Sequence, residues 1–112
     1  MKKTLTHTYS RYGSDAVQLI GNLIKVARKE RKLTAQELSE RAGISRGLLQ
    51  RIEKGDLNCK IGAVFEVASI VGVKLFDAEG TTLTKYIREA EDKLTLLPKS
   101  VRQKKRAIDD DF

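Results

Sequence analysis

Between Leu33 and Gly55 the sequence spells out two short helices and the tight turn that joins them. Thr34-Ala35-Gln36-Glu37 is a capping box, in which the Thr34 hydroxyl and the Glu37 carboxylate each satisfy a free backbone N–H at a helix start. Leu38 and Ala42 fall on one face of the helix so opened. Gly43 permits the left-handed turn that ends it, Ile44 is an apolar plug, and Ser45 can cap a second helix over about 46–53. Leu49 and Ile52 are the inward pair of that second helix, and Gly55 terminates it. Helices of about two turns are marginal by themselves, so the flanking chain must supply the surface on which they pack.

The flanks do read as helices. From about Asp15 to Arg31, Val17, Ile20, Ile24 and Ala27 recur at three- and four-residue spacing, and Leu19 and Leu23 widen the stripe. Ser14 or Asp15 can cap its start, and Lys29, Arg31 and Lys32 suit its electronegative end. A fourth helix is expected over about 60–71, with Ile61, Val64, Phe65, Ala68 and Val71 inward and Gly72 as its stop. Val73-Lys74-Leu75-Phe76 then alternates and reads as a short strand. A fifth helix over about 84–97 aligns Leu83, Ile87, Ala90, Leu94 and Leu97 on one seam, and Pro98 ends it. The expected division is an N-terminal arm (1–13), the domain proper (14–77), a C-terminal helix (78–97) and a charged tail (98–112).

Charge narrows the function. The chain is +7 overall, and residues 1–32 carry eight Lys/Arg against Asp15 and Glu30, whereas 33–72 balance five against five. A basic chain favours a polyanionic partner such as nucleic acid, the alternative being a solvated face that only aids solubility. One cysteine, Cys59, cannot close an internal disulfide, and one histidine, His7, excludes a histidine-based metal cluster while leaving acidic ligands open. No apolar run reaches the ~18 residues of a membrane span. No nucleophile, base and orienting group assemble, so neither an enzyme nor a cofactor is expected.

Two helices joined by Gly43-Ile44-Ser45 form a helix-turn-helix signature. Residues 22–72 resemble the Cro/repressor (XRE) family through Leu23 to Thr34, Glu37-Leu38-Ser39, Ala42-Gly43-Ile44-Ser45 and Leu49 to Gly55. The resemblance implies an all-α, five-helix, lambda-repressor-like fold and a double-stranded DNA partner read from the start of the third helix. Ser45, Arg46 and Gly47 become the base-reading candidates, with Arg51 one turn later. A guanidinium such as Arg46 can bridge O6 and N7 of guanine in the major groove. Gly47 either lets a backbone approach closely or merely avoids a clash, and Gln50 and Arg51 suit bases or phosphates equally. Leu48 is either a buried neighbour of Leu49 or a contact to a thymine methyl. Thr34 is the family's phosphate-side cap. The glutamine that commonly follows it is replaced here by Ala35, so Gln36 either takes over that contact or is simply exposed. The same resemblance implies an ion pair between Arg28 and Glu53 that seats the recognition unit on the first helix.

A narrower resemblance lies in Gly72 to Ala78 and in the ending Leu97 to Arg102 with Asp109-Asp110-Asp111-Phe112, which is similar to HipB-like antitoxins. It implies one short C-terminal dimerisation strand (73–76) paired across a twofold axis through Val73 and Leu75, and hence a homodimer on a palindromic operator. It also implies a HipA-like kinase toxin as partner, a cytoplasmic, nucleoid-associated site of action, and autorepression of a toxin–antitoxin operon. The alternatives are a free-standing repressor and a module that chiefly binds protein.

Overall fold

The computed structural model describes residues 8–76 and 79–101. Ser10 opens the first helix, its hydroxyl accepting the Gly13 N–H at 3.0 Å, so α1 runs Arg11–Glu30 and begins earlier than Ser14 or Asp15 would place it. Its inward face is Ile20, Gly21, Ile24, Ala27 and Arg28. Leu19 and Leu23 do not widen the buried stripe; both are exposed. Lys32, at φ 60°, turns the chain toward α2, and the Leu33 N–H donates to the Arg28 carbonyl at 3.1 Å.

Helices α2 (Ala35–Ala42) and α3 (Arg46–Glu53) follow at the positions their caps dictate. α4 spans Ile61–Ile70. α2 packs on both α3 and α4, while α1 packs on α3. Ile24, Leu38, Leu49, Ile52, Val67, Ala68 and Val71 form one buried core to which all four helices contribute. Leu38 and Leu49 are fully buried, and each such side chain contributes about 1.5–3 kcal/mol relative to exposure. The expected face of α4 holds at Val64, Ala68 and Val71, with Val67 added to it, while Ile61 is exposed and the Phe65 ring stacks on Phe76 at 5.9 Å.

The expected strand over 73–76 is corrected. Among the described residues there is no strand; Val73 and Lys74 are irregular, and Leu75 and Phe76 form a bend. The Val73 N–H is already spent on the Ala68 carbonyl at 2.8 Å, closing the end of α4 over Gly72 at φ 82°. Val73 and Leu75 pack against the chain's own core, while Lys74 and Phe76 point out. The period-two pattern is real, and it records a segment tucked on its own domain rather than a ladder.

The chain divides into two compact units, 1–77 and 78–112. The described part of the second is α5 (Gly80–Leu96) and residues 97–101. α5 starts four residues before its expected position and holds no buried residue. Ile87, Leu94 and Leu97 of its apolar seam are all exposed. His7 and the tail from Arg102 to Phe112 lie outside the described residues.

Candidate nucleic-acid interface

The site is built from three capped junctions. At the start of α2, the Glu37 N–H donates to the Thr34 hydroxyl at 3.0 Å and the Thr34 N–H donates to Glu37 Oε1 at 2.8 Å. The backbone N–H of Thr34, then its hydroxyl, hold the Glu37 carboxyl below its ordinary pKa. At the turn, Gly43 takes φ 68° and the Ile44 N–H donates to the Ser39 carbonyl at 3.0 Å. That left-handed conformation, rather than any crowding, is what requires glycine there. At the start of α3, the Ser45 hydroxyl accepts the Leu48 N–H at 3.0 Å. Ser45 thus caps α3 as an acceptor and fixes where Arg46 and Gly47 stand, while its hydroxyl keeps a donor.

α3 divides cleanly into an inner and an outer side. Leu49, Ile52 and Glu53 are buried and Leu48 is half-buried against the core, whereas Arg46, Gly47, Gln50, Arg51 and Lys54 are exposed. At 100° per residue those five exposed positions span an arc of about 140°, one continuous polar face. Leu48 packs against the core yet keeps part of its surface accessible. A Cβ on Gly47 would meet only the Ser45 hydroxyl oxygen, at 4.0 Å, so no clash within the chain demands glycine. Its effect is to leave the backbone of the first turn open to whatever approaches.

The inner side is anchored on α1. Arg28 Nε donates to Glu53 Oε2 at 2.8 Å and Arg28 Nη2 to Glu53 Oε1 at 3.0 Å, a planar two-pronged pair whose side chains are 11% and 6% exposed. Arg28 Nη1 donates to the Leu33 carbonyl at 3.0 Å, so one guanidinium ties together α1, the turn before α2 and the end of α3. The hydrogen bonds to Glu53 raise the Arg28 pKa despite the opposing effect of burial. Two turns earlier on α1, Gly21 is buried where a Cβ would lie 2.5 Å from the Ile52 carbonyl oxygen. Sequence reasoning passed over Gly21; an isolated glycine inside a helical pattern was the available signal.

Two further side chains are held by carboxylates. Gln36 Nε2 donates to Glu40 Oε2 at 2.8 Å on the exposed side of α2. Arg51 Nε lies 3.2 Å from Asp56 Oδ2, in the turn after α3. Neither Glu40 nor Asp56 stood out in the sequence, because their acidity reads only as charge balance. Cys59 is half-buried among the apolar side chains of the same turn, packed against the core. Val73 and Leu75 lie on the core and not with the polar face of α3.

Two comparisons bear on this geometry. Residues 24–77 match the family model described as helix-turn-helix. An immunity repressor protein of Bacillus phage phi105 is 39% identical over 56 residues, covering 50% of this chain and 39% of the phage protein. The likeness thus spans well under two thirds of that repressor's length; the family match, over 24–77, takes in the capped junctions. No described helix is long and apolar enough to cross a membrane.

Proposed function

We propose that the chain, whose residues 24–77 match the helix-turn-helix family model, is a sequence-specific DNA-binding repressor of transcription of the Cro/repressor kind. The observation that carries this is the outer face of α3: Arg46, Gln50, Arg51 and Lys54 exposed together, with Gly47 opening the first turn between them. Arg46 and Arg51 supply donors matched to the acceptors of guanine, and the first turn of a helix is the part that enters the major groove. Thr34, Ser45 and Gln36 stand beside that face at the two helix starts, where phosphates pass. Lys25, Lys29 and Lys54 are exposed cations that suit phosphate contacts. No catalytic role is assigned, and no cofactor is required by this reading.

The repressor acts as a cytoplasmic homodimer on a palindromic operator, with two recognition helices about 34 Å apart. A second, finer reading makes it the antitoxin and autorepressor of a HipBA-like operon, restraining a kinase-fold toxin. What favours a protein partner is α5, whose seam of Ile87, Leu94 and Leu97 is exposed along a helix without a buried residue. The test is a titration of the DNA upstream of the chain's own gene against a random duplex of equal length, with the mass of the complex followed by light scattering. Preference for the upstream DNA at two chains per site supports the repressor; equal affinities refute it. Copurification with a kinase encoded beside it would separate the antitoxin from a free-standing repressor.

A further inference from the structure

A carboxylate at the edge of a face that meets a polyanion is unfavourable unless it does something there. Asp56 is such a carboxylate, and two hydrogen bonds and an ion pair hold it in the turn after α3. Its N–H donates to the Arg51 carbonyl at 3.0 Å, its Oδ1 accepts the Asn58 N–H at 2.8 Å, and its Oδ2 lies 3.2 Å from Arg51 Nε. The pair is 53% and 33% exposed, so it adds little to stability. Its geometric effect is larger. An arginine gripped through Nε has its two terminal nitrogens directed away from the grip as a fork, the part of the side chain that bridges O6 and N7 of guanine. Arg51 lies beyond the first turn of the helix, and without that grip it would sample the phosphates as readily, which carry no sequence.

We propose that Asp56 is a positioning residue: it holds Arg51 as a base-reading fork and keeps it from serving as a general phosphate contact. This rests on the DNA-binding reading above and adds to it the residue that decides what Arg51 does. Glu40 stands in the same relation to Gln36 on α2, which makes the device a repeated one on this face.

The probe is the duplex that the wild-type chain selects from random-sequence DNA, compared with an unselected duplex at one fixed salt concentration. Asp56→Asn keeps an oxygen for the Asn58 N–H while removing the charge. It should lower affinity for the selected duplex about tenfold, the low end of what one bidentate base contact contributes. On the unselected duplex the same change should leave affinity unchanged or raise it, because a negative charge has gone. In an Arg51→Ala background, Asp56→Asn should cost nothing further on the selected duplex. Tighter binding to both duplexes, or an equal loss with and without Arg51, overturns the inference. If the wild-type chain selects no sequence at all, the repressor reading itself fails, and that outcome is distinct from either.

Discussion

The Arg28–Glu53 pair invites a measurement whose size follows from its geometry. Arg28→Met removes the guanidinium but keeps an unbranched apolar stem, and it strands a Glu53 side chain that is 6% exposed. Both carboxylate oxygens then lose donors, at 2.8 and 3.0 Å, and the Leu33 carbonyl loses a third at 3.0 Å. Each buried acceptor left unpaired costs about 1–3 kcal/mol, and breaking a buried pair by removing one partner typically costs about 3–5 kcal/mol in all. At roughly 0.05–0.15 kcal/mol per residue, a unit of this size holds only a few to about ten kcal/mol of stability. Arg28→Met should therefore remove a large share of the first unit's stability at about 25 °C. Glu53→Leu made together with it removes the stranded charge and should restore most of the loss, since replacing both members of a buried pair by apolar groups is often neutral. Urea titrations followed by circular dichroism read both values. A loss below about 1 kcal/mol for Arg28→Met, or a double variant no more stable than the single, would refute the argument that the pair is a buried brace.

Three further outcomes follow from particular residues. Gly21→Ala would stabilise an open helix by about 0.5–1 kcal/mol, but the 2.5 Å approach to the Ile52 carbonyl turns the sign, and a loss of about 1–3 kcal/mol is expected in the same titration; a stabilised variant would contradict the close seat. The Glu37 carboxyl is held below its ordinary value, so its cap stabilises fully above the unfolded-state value near 4.3 and fades as pH falls through the folded-state value. Glu37→Gln keeps an acceptor for the Thr34 N–H and should flatten that acid limb, and an unchanged pH profile of stability would count against the cap. Arg46→Ala should cost about 1–3 kcal/mol on the cognate site and relax preference at one base pair, whereas equal losses on cognate and random DNA would end its base-reading role.

The sequence was most legible where local chemistry decides the backbone. Thr34, Gly43 and Ser45 announce their junctions because a cap or a left-handed turn needs those residue types, and the structure puts each at its expected place. It was less legible where the competing reading used the same pattern. Val73-Lys74-Leu75-Phe76 alternates as a strand does, yet alternation says only which side chains point inward, and here the inward side is the chain's own core. Tyr12 and Gly13 looked irregular, but Ser10 supplies the cap that lets α1 begin at Arg11. The faces of α1 and α4 lie where the spacing puts them, but their edges differ: Leu19, Leu23 and Ile61 are exposed, and Gly21 and Val67 are buried in their stead. Acidic residues hid best. Counting charge over 33–72 gives neutrality; the capping box marks Glu37 and the family resemblance marks Glu53, whereas the partners of Glu40 and Asp56 emerge only from distances.

If α3 enters a major groove and reads bases there, methylation protection registers it at the bases themselves. Dimethyl sulfate modifies guanine N7, the major-groove acceptor that an arginine fork would cover. With the selected duplex fully bound, the account predicts guanines protected in two half-sites about one helical turn apart, and loss of that protection at one position per half-site in Arg46→Ala. Full occupancy with every guanine N7 still reactive would place the chain on the phosphates or in the minor groove, and would contradict it.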